Sequence, residues 1–208
     1  MTKKVFLSGI AIFGWFAIIA QFYLLINSGA AAKSELFIRF FSYFTIDTNI
    51  IVALYSTLLL LNPNSSLGRF FSKQTSIAAI AVYIVIVGVV YNIILRFLWN
   101  PRGMQLLVDE LLHLIIPILF LLYWLICTGK NQLKWKNAFS WMLYPLIYGS
   151  IVLIRGYFSN PPFYPYPFID ISKLGVNQGI INTIGFTVIF FVTSLLFIGA
   201  GKLMSRKA

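Results

Sequence analysis

The sequence predicts an all-α integral membrane protein, a bundle of six transmembrane helices with both termini cytoplasmic. Three observations carry that reading. The 208-residue chain is 60% hydrophobic and only 10% charged, too few charges to solvate a soluble domain of this length. Six apolar runs reach the roughly 20 residues a helix needs to cross a bilayer, and none alternates as β-barrel strands do. Lysine and arginine are divided unequally between the two sets of loops.

The runs lie at about 5–26, 36–61, 77–99, 104–127, 138–158 and 179–201, and residues 1–208 form one membrane domain. Lys3 and Lys4 before the first run, and Ala30, Ala31 and Ala32 after it, imitate a secretory signal. Its apolar stretch of about 22 residues exceeds the roughly 7–15 of a signal core, so it is read as a true span. Asn27-Ser28-Gly29 ends it, and Asn62-Pro63-Asn64 ends the second. Asn100-Pro101-Arg102-Gly103 is so short that the third and fourth runs are expected to be antiparallel neighbours. The stretch 159–178 is different, with four prolines set among aromatics between Pro161 and Phe168. Such a segment is stiff and extended, and it reads either as an interfacial aromatic belt or as a lid over a cavity.

With the N-terminus cytoplasmic, that side holds Lys3, Lys4, Arg69, Lys73, Lys130, Lys134, Lys136, Lys202, Arg206 and Lys207. The opposite side holds Lys33, Arg39, Arg96, Arg102, Arg155 and Lys173. The bias gives a multi-pass protein of the cell (inner) membrane with both ends inside. The net charge of +11 is then a topology signal and an attraction to anionic lipid. It does not mark a nucleic-acid binder, because no soluble basic module is present. Cys127 is the only cysteine, which excludes an internal disulfide and CxxC chemistry. No cofactor is expected, and no metal either, since one histidine has no cysteine ligand near it.

Charge inside apolar runs is costly and usually faces a bundle interior. Arg39, Asp47, Arg96, Asp109, Glu110, His113 and Arg155 are of this kind. Thr45, counted from Leu36, and His113, counted from Met104, each lie roughly 13 Å along their helices at 1.5 Å per residue. They therefore reach similar depth from the outer side, with Asn92 and Arg96 near that level and Arg155 completing the ring. Asp109 and His113 are four apart and Glu110 and His113 three apart, so either carboxylate can meet the imidazole and fix its tautomer. Ser42, Thr45 and Asn49 share one face of the second run, while Arg39, Tyr43 and Asp47 share another. Gly88, Asn92 and Arg96 form a stripe on the third, the glycine permitting close contact.

A hydroxyl, an imidazole and an orienting carboxylate are the parts of a nucleophile–base–orienter triad. Here they are Thr45, His113 and Asp109 (or Glu110), with Arg96, Asn49 and Asn92 as candidate oxyanion donors. The same residues also read as a packing network, Arg39 paired with Asp47 and Arg96 with Asp109 or Glu110. A third reading makes Arg39, Arg96 and Arg155 the binding site for an anionic head group in a non-catalytic lipid or amphiphile binder or transporter.

Three segments bear on the choice. Phe40-Phe41-Ser42-Tyr43-Phe44-Thr45-Ile46-Asp47, Leu112-His113-Leu114-Ile115-Ile116-Pro117, and Tyr166-Pro167-Phe168-Ile169-Asp170 with Gly175 resemble, in that order, segments of the androgen-induced protein family. The likeness covers the second to sixth runs at low identity. The chain is also similar to bacterial six-helix membrane proteins without an assigned role. The family's eukaryotic members are intramembrane threonine hydrolases of fatty-acid esters of hydroxy fatty acids. The resemblance implies Thr45 as nucleophile, His113 as base and a lipid ester in the membrane as substrate. Asp109 and Glu110 stand where the family has a different polar context. The sequence leaves the oligomeric state open.

Overall fold

The computed structural model describes residues 1–206; Lys207, counted above among the charges of the terminal end, lies outside them. Among the described residues the chain is helical without strands, and six helices are long and apolar enough to span a membrane. In order these spans are Thr2–Ile26, Phe44–Leu61, Gln74–Leu98, Met104–Cys127, Asn137–Phe158 and Val176–Ser205. They suggest a multi-pass membrane protein.

The third span is central, packing against the second, fourth and sixth, while the first packs against the second and fourth. Small residues allow the closest approaches: a Cβ at Gly14 would lie 3.0 Å from that of Ala53. The terminal half of the bundle is filled by Tyr55, Phe120, Tyr123 and Trp124, and the Tyr55 and Tyr123 hydroxyls meet at 2.9 Å. At that end Gln74 donates to Asn131 and accepts from the Gln132 amide. The fifth span is the least embedded; of Leu143–Phe158 only Val152 and Gly156 are buried. Its outward face, with Ile147, Ile151 and Ile154 exposed, suits a hydrocarbon solvent.

The second span corrects the expectation of one helix over 36–61. Lys33–Phe40 forms a separate short helix, and the span begins at Phe44. Between them the Ser42 hydroxyl donates back to the Ile38 carbonyl, a local bond that competes with continued helix. Tyr43 is then extended, at φ −93°, ψ 122°. The charges of the short helix, Lys33, Glu35 and Arg39, favour the membrane–water boundary over hydrocarbon. Thr45 is therefore the second residue of its span, in the first turn, and not deep along a continuous helix.

Helix starts leave amides without partners. Here two phenols serve as caps. The Phe44 amide donates to the Tyr148 hydroxyl at 3.0 Å, and the Thr45 amide to the Tyr166 hydroxyl at 3.2 Å. Tyr148 in turn donates to the Ser42 carbonyl at 2.7 Å. One hydroxyl from the fifth span and one from the proline-rich loop thus fix where the second span begins.

The third and fourth spans also depart from uniform α-helix. Tyr91–Leu95 and Leu111–Ile115 are wider π-helical turns, an arrangement that recurs at functional sites. The stretch 159–175 is not wholly extended; it contains a 3-10 turn, Pro167–Ile169, and a short helix, Ile171–Leu174, and the sixth span starts at Val176.

Candidate active site

The two widened turns contact each other, and beside them Gly88 lets the third span come close to the fourth. A Cβ at Gly88 would lie 3.1 Å from the His113 carbonyl oxygen and 3.1 Å from Pro117 Cβ. Pro117 has no N–H, so the fourth span loses a donor for the carbonyls one turn back. Side chains of the neighbouring spans replace it. Asn92 Nδ2 donates to the His113 carbonyl at 3.0 Å and to Gly88 at 2.8 Å. Asn49 Nδ2 donates to the Leu112 carbonyl at 3.3 Å and to Thr45 at 2.8 Å. The turn that carries His113 is thereby held from both sides.

The imidazole is fixed with equal care. His113 Nδ1 faces only acceptors: the Asp109 carbonyl at 2.9 Å and Asp109 Oδ1 at 3.3 Å. The proton therefore belongs on Nδ1, and Nε2 keeps the lone pair of a base. Tyr91 donates its hydroxyl to Asp109 Oδ2 and stacks its ring on the imidazole, centroids 3.8 Å apart. Asp109 and His113 are buried. Glu110 instead pairs with Arg96 at 2.7 Å, and Arg96 Nε donates to Asn92 Oδ1 at 2.9 Å.

A cavity of about 500 Å³ opens beside these groups. Thr45, Asp109, His113 and Tyr91 line it, as do Tyr166 and its flanking Pro165 and Pro167. The proline-rich loop therefore walls the site, and Tyr166 reaches in to within 3.3 Å of Thr45 Oγ1. Burial pushes the Tyr166 phenol up to about 12, so it remains an O–H donor at neutral pH. A second cavity, about 170 Å³ and mostly apolar, lies between the third, fifth and sixth spans. Thr45 and Tyr166 line this one too.

The structure thus brings Thr45, His113 and Asp109 to one cavity. Asn49, Asn92 and Arg96 do not line either cavity. Asn49 and Asn92 donate to backbone carbonyls, and Arg96 donates through Nε to Asn92 and through Nη2 to Glu110. Arg39 does not pair with Asp47. It pairs with Glu35 at 2.8 Å, and Arg155 takes the same carboxylate oxygen at 2.8 Å. The preference is geometric, since Glu35 and Arg39 are four apart on one short helix. Asp47 sits half-buried in the first turn of the second span with no ion-pair partner among the described residues, where the positive end of the helix dipole favours a carboxylate. Arg155 stands apart from His113; it also donates to Ser42 Oγ at 3.1 Å and lies over the Phe163 ring.

Sequence reasoning passed over Tyr91, Tyr166, Glu35, Gln21 and Gln105. Tyr91 precedes Asn92 on the third run, and Tyr166 was visible only within its motif. Each glutamine is a polar residue at an end of an apolar run, a signal that was legible but common. Among the described residues no group of three or more His, Cys, Asp or Glu side chains is placed to hold a metal. Comparison with known proteins finds no family model, curated protein or solved structure that matches this chain.

Proposed function

We propose that this protein is an intramembrane hydrolase of lipid esters, with Thr45 as nucleophile, His113 as general base and Asp109 as the group that orients the base. The observation that supports it most is the shared cavity: a base with a free Nε2 and a hydroxyl from a different span open onto the same space. The likeness of three segments to the androgen-induced protein family points the same way. The break before Phe44 adds a physical reason, because Thr45 in the first turn of a helix sits where the dipole favours developing negative charge.

In this reading His113 Nε2 takes the Thr45 hydroxyl proton as Oγ1 attacks the ester carbonyl. The carbonyl oxygen becomes an oxyanion, and the Tyr166 hydroxyl donates to it. As the carbonyl re-forms, the bond to the alcohol oxygen breaks and His113 returns the proton to that alkoxide. Water then gives a proton to His113 and attacks the acyl-threonine. The fatty acid leaves, and Thr45 recovers its proton. The acyl chain occupies the apolar cavity between the third, fifth and sixth spans, which begins at Thr45.

The lysine and arginine bias supports both termini in the cytoplasm of the cell (inner) membrane, with the cavity towards the outer leaflet. The rival reading, a non-catalytic lipid binder held by Arg39, Arg96 and Arg155, has less support, because none of these arginines lines either cavity and each is paired with a carboxylate.

The test is turnover of a long-chain fluorogenic ester by purified protein in lipid nanodiscs. Wild type hydrolyses it, and Thr45→Ala and His113→Ala, folded by thermal melting, do not. Hydrolysis that survives both substitutions, or a wild type that binds the ester without cleaving it, overturns the reading.

A further inference from the structure

We infer that the alcohol part of the ligand is uncharged and carries hydroxyl groups, and that Gln21 and Gln105 read it. This rests on the hydrolase reading for the fate of the ligand, but the recognition argument is independent of the chemistry.

Neither cavity has a lysine or arginine among its lining residues. The three arginines at this end of the bundle are committed elsewhere: Arg39 and Arg155 to Glu35 and the face of Phe163, Arg96 to Glu110 and Asn92. The polar cavity does hold one acid, Asp109, and both of its oxygens are engaged, by Tyr91 and His113. A phosphate or free carboxylate placed here would leave water without direct contact to a cation, since Arg96 lies behind the Tyr91 ring at 5.5 Å, and would sit beside a carboxylate. That is the arrangement burial penalises most.

What the cavity offers in place of charge is a pair of amides. Gln21 near the loop end of the first span and Gln105 at the start of the fourth both line it, and Gln105 Nε2 donates to Gln21 Oε1 at 2.8 Å. Whichever way the two amides are turned, one such bond leaves an unused NH₂ on one residue and an unused carbonyl lone pair on both. A hydroxyl is donor and acceptor at once, and a vicinal diol is so twice over. Such a group matches the pair; an anion, which only accepts, does not. Tyr43 and Trp99, also on the cavity wall, offer apolar faces against which a compact glycerol-like head can lie. The ligand class that fits is therefore an acylglycerol or similar polyol ester, its chain in the apolar cavity and its hydroxyls on the glutamines.

The experiment compares a monoacylglycerol, the methyl ester of the same fatty acid, and the corresponding lysophosphatidylglycerol. Free fatty acid released by wild type is measured, and binding is followed separately by tryptophan fluorescence in the His113→Ala variant. The monoacylglycerol is expected to be preferred over the methyl ester by about tenfold, with the anionic lipid rejected. Gln105→Leu brings that ratio towards one. Gln105→Arg, which supplies the missing cation, admits lysophosphatidylglycerol. Binding preference for monoacylglycerol with no ester cleaved would sink the hydrolase reading and uphold the ligand class. Cleavage or binding indifferent to the head group, or anionic lipid taken by wild type as readily as the neutral one, overturns the inference.

Discussion

The two cavities meet at Thr45 and Tyr166, and they differ in how the polar groups of their walls are held. Around His113 most polar groups are bonded, Asp109 to the ring and to Tyr91, Asn92 and Asn49 through their NH₂ groups to the backbone, Arg96 to Asn92 and Glu110, with the buried Asn49 Oδ1 left without a partner among the described residues. Around the apolar cavity the walls are mostly aliphatic and aromatic side chains of the third, fifth and sixth spans, and the hydroxyls of Ser150, Thr183 and Thr187 donate to carbonyls of their own helices. The fifth span contributes few buried residues. It is tied to the second through Tyr144 to Thr48, at 3.2 Å, and through Tyr148. Under the proposed hydrolase reading, directional bonds are concentrated where a reacting group has to keep one orientation. Where a flexible chain is to be accommodated, apolar surface without directional demands suffices.

The largest effect separates the two cavities. His113→Ala lowers ester hydrolysis on the order of a thousandfold or more, whereas no single substitution in the apolar wall beyond the shared Thr45 and Tyr166 does so. Rates in nanodiscs check this, and an apolar-wall variant away from those two residues, as inactive as His113→Ala, would break the contrast. Next, Asn92→Leu removes the side-chain donor for a carbonyl that Pro117 leaves open, at a cost of about 1–3 kcal/mol. Pro117→Ala restores an N–H within the fourth span, so the cost of Asn92→Leu shrinks in that background, with a coupling of about 1 kcal/mol in a double-mutant cycle of thermal unfolding. Additive effects would contradict the replacement of the proline's missing donor by Asn92.

On the apolar side, Gly149 lines the cavity and a Cβ there would meet nothing within 4 Å. Gly149→Leu places a side chain in that cavity from a Cβ that meets no neighbour. It shifts acyl preference to shorter chains by about tenfold, measured by competition between esters of different length, and leaves the melting temperature equal or higher. The smallest effect is at the rim. The Arg39 hydrogen bond, helped by Arg155, holds the Glu35 carboxyl below the ordinary glutamate value. A lowered value means the tie contributes stability above that ordinary value and loses it as pH falls through the depressed one. Amide exchange in the short helix at Lys33–Phe40 is therefore expected to quicken only in that acid range, and modestly, because Glu35 is partly exposed. Glu35→Gln quickens it already at neutral pH.

Much of the bundle was legible because hydrocarbon leaves so few options: apolar length gives the spans. The break at Phe41, Ser42 and Tyr43 was not legible, since a lone serine in an aromatic run is a weak signal and its local bond to Ile38 acts together with caps from Tyr148 and Tyr166, more than a hundred positions away. The spacing of Asp109 and His113 gave their pairing because it is local. Arg39 chose Glu35 over Asp47 for the same reason, yet Glu35 lay in a stretch read as the edge of a span. Asn49 and Asn92 were visible as polar residues in apolar runs. Their task was not, because it depends on which carbonyls Pro117 leaves open in a different helix.

Acylation of Thr45 through His113 is the central step of the proposed reaction. Intact-protein and peptide mass spectrometry after treatment with a lipophilic β-lactone tests this most directly. A single acyl adduct on Thr45, absent in Thr45→Ala and strongly reduced in His113→Ala, is the predicted result. No adduct in protein that retains hydrolysis, or one on another residue that Thr45→Ala leaves untouched, would contradict it.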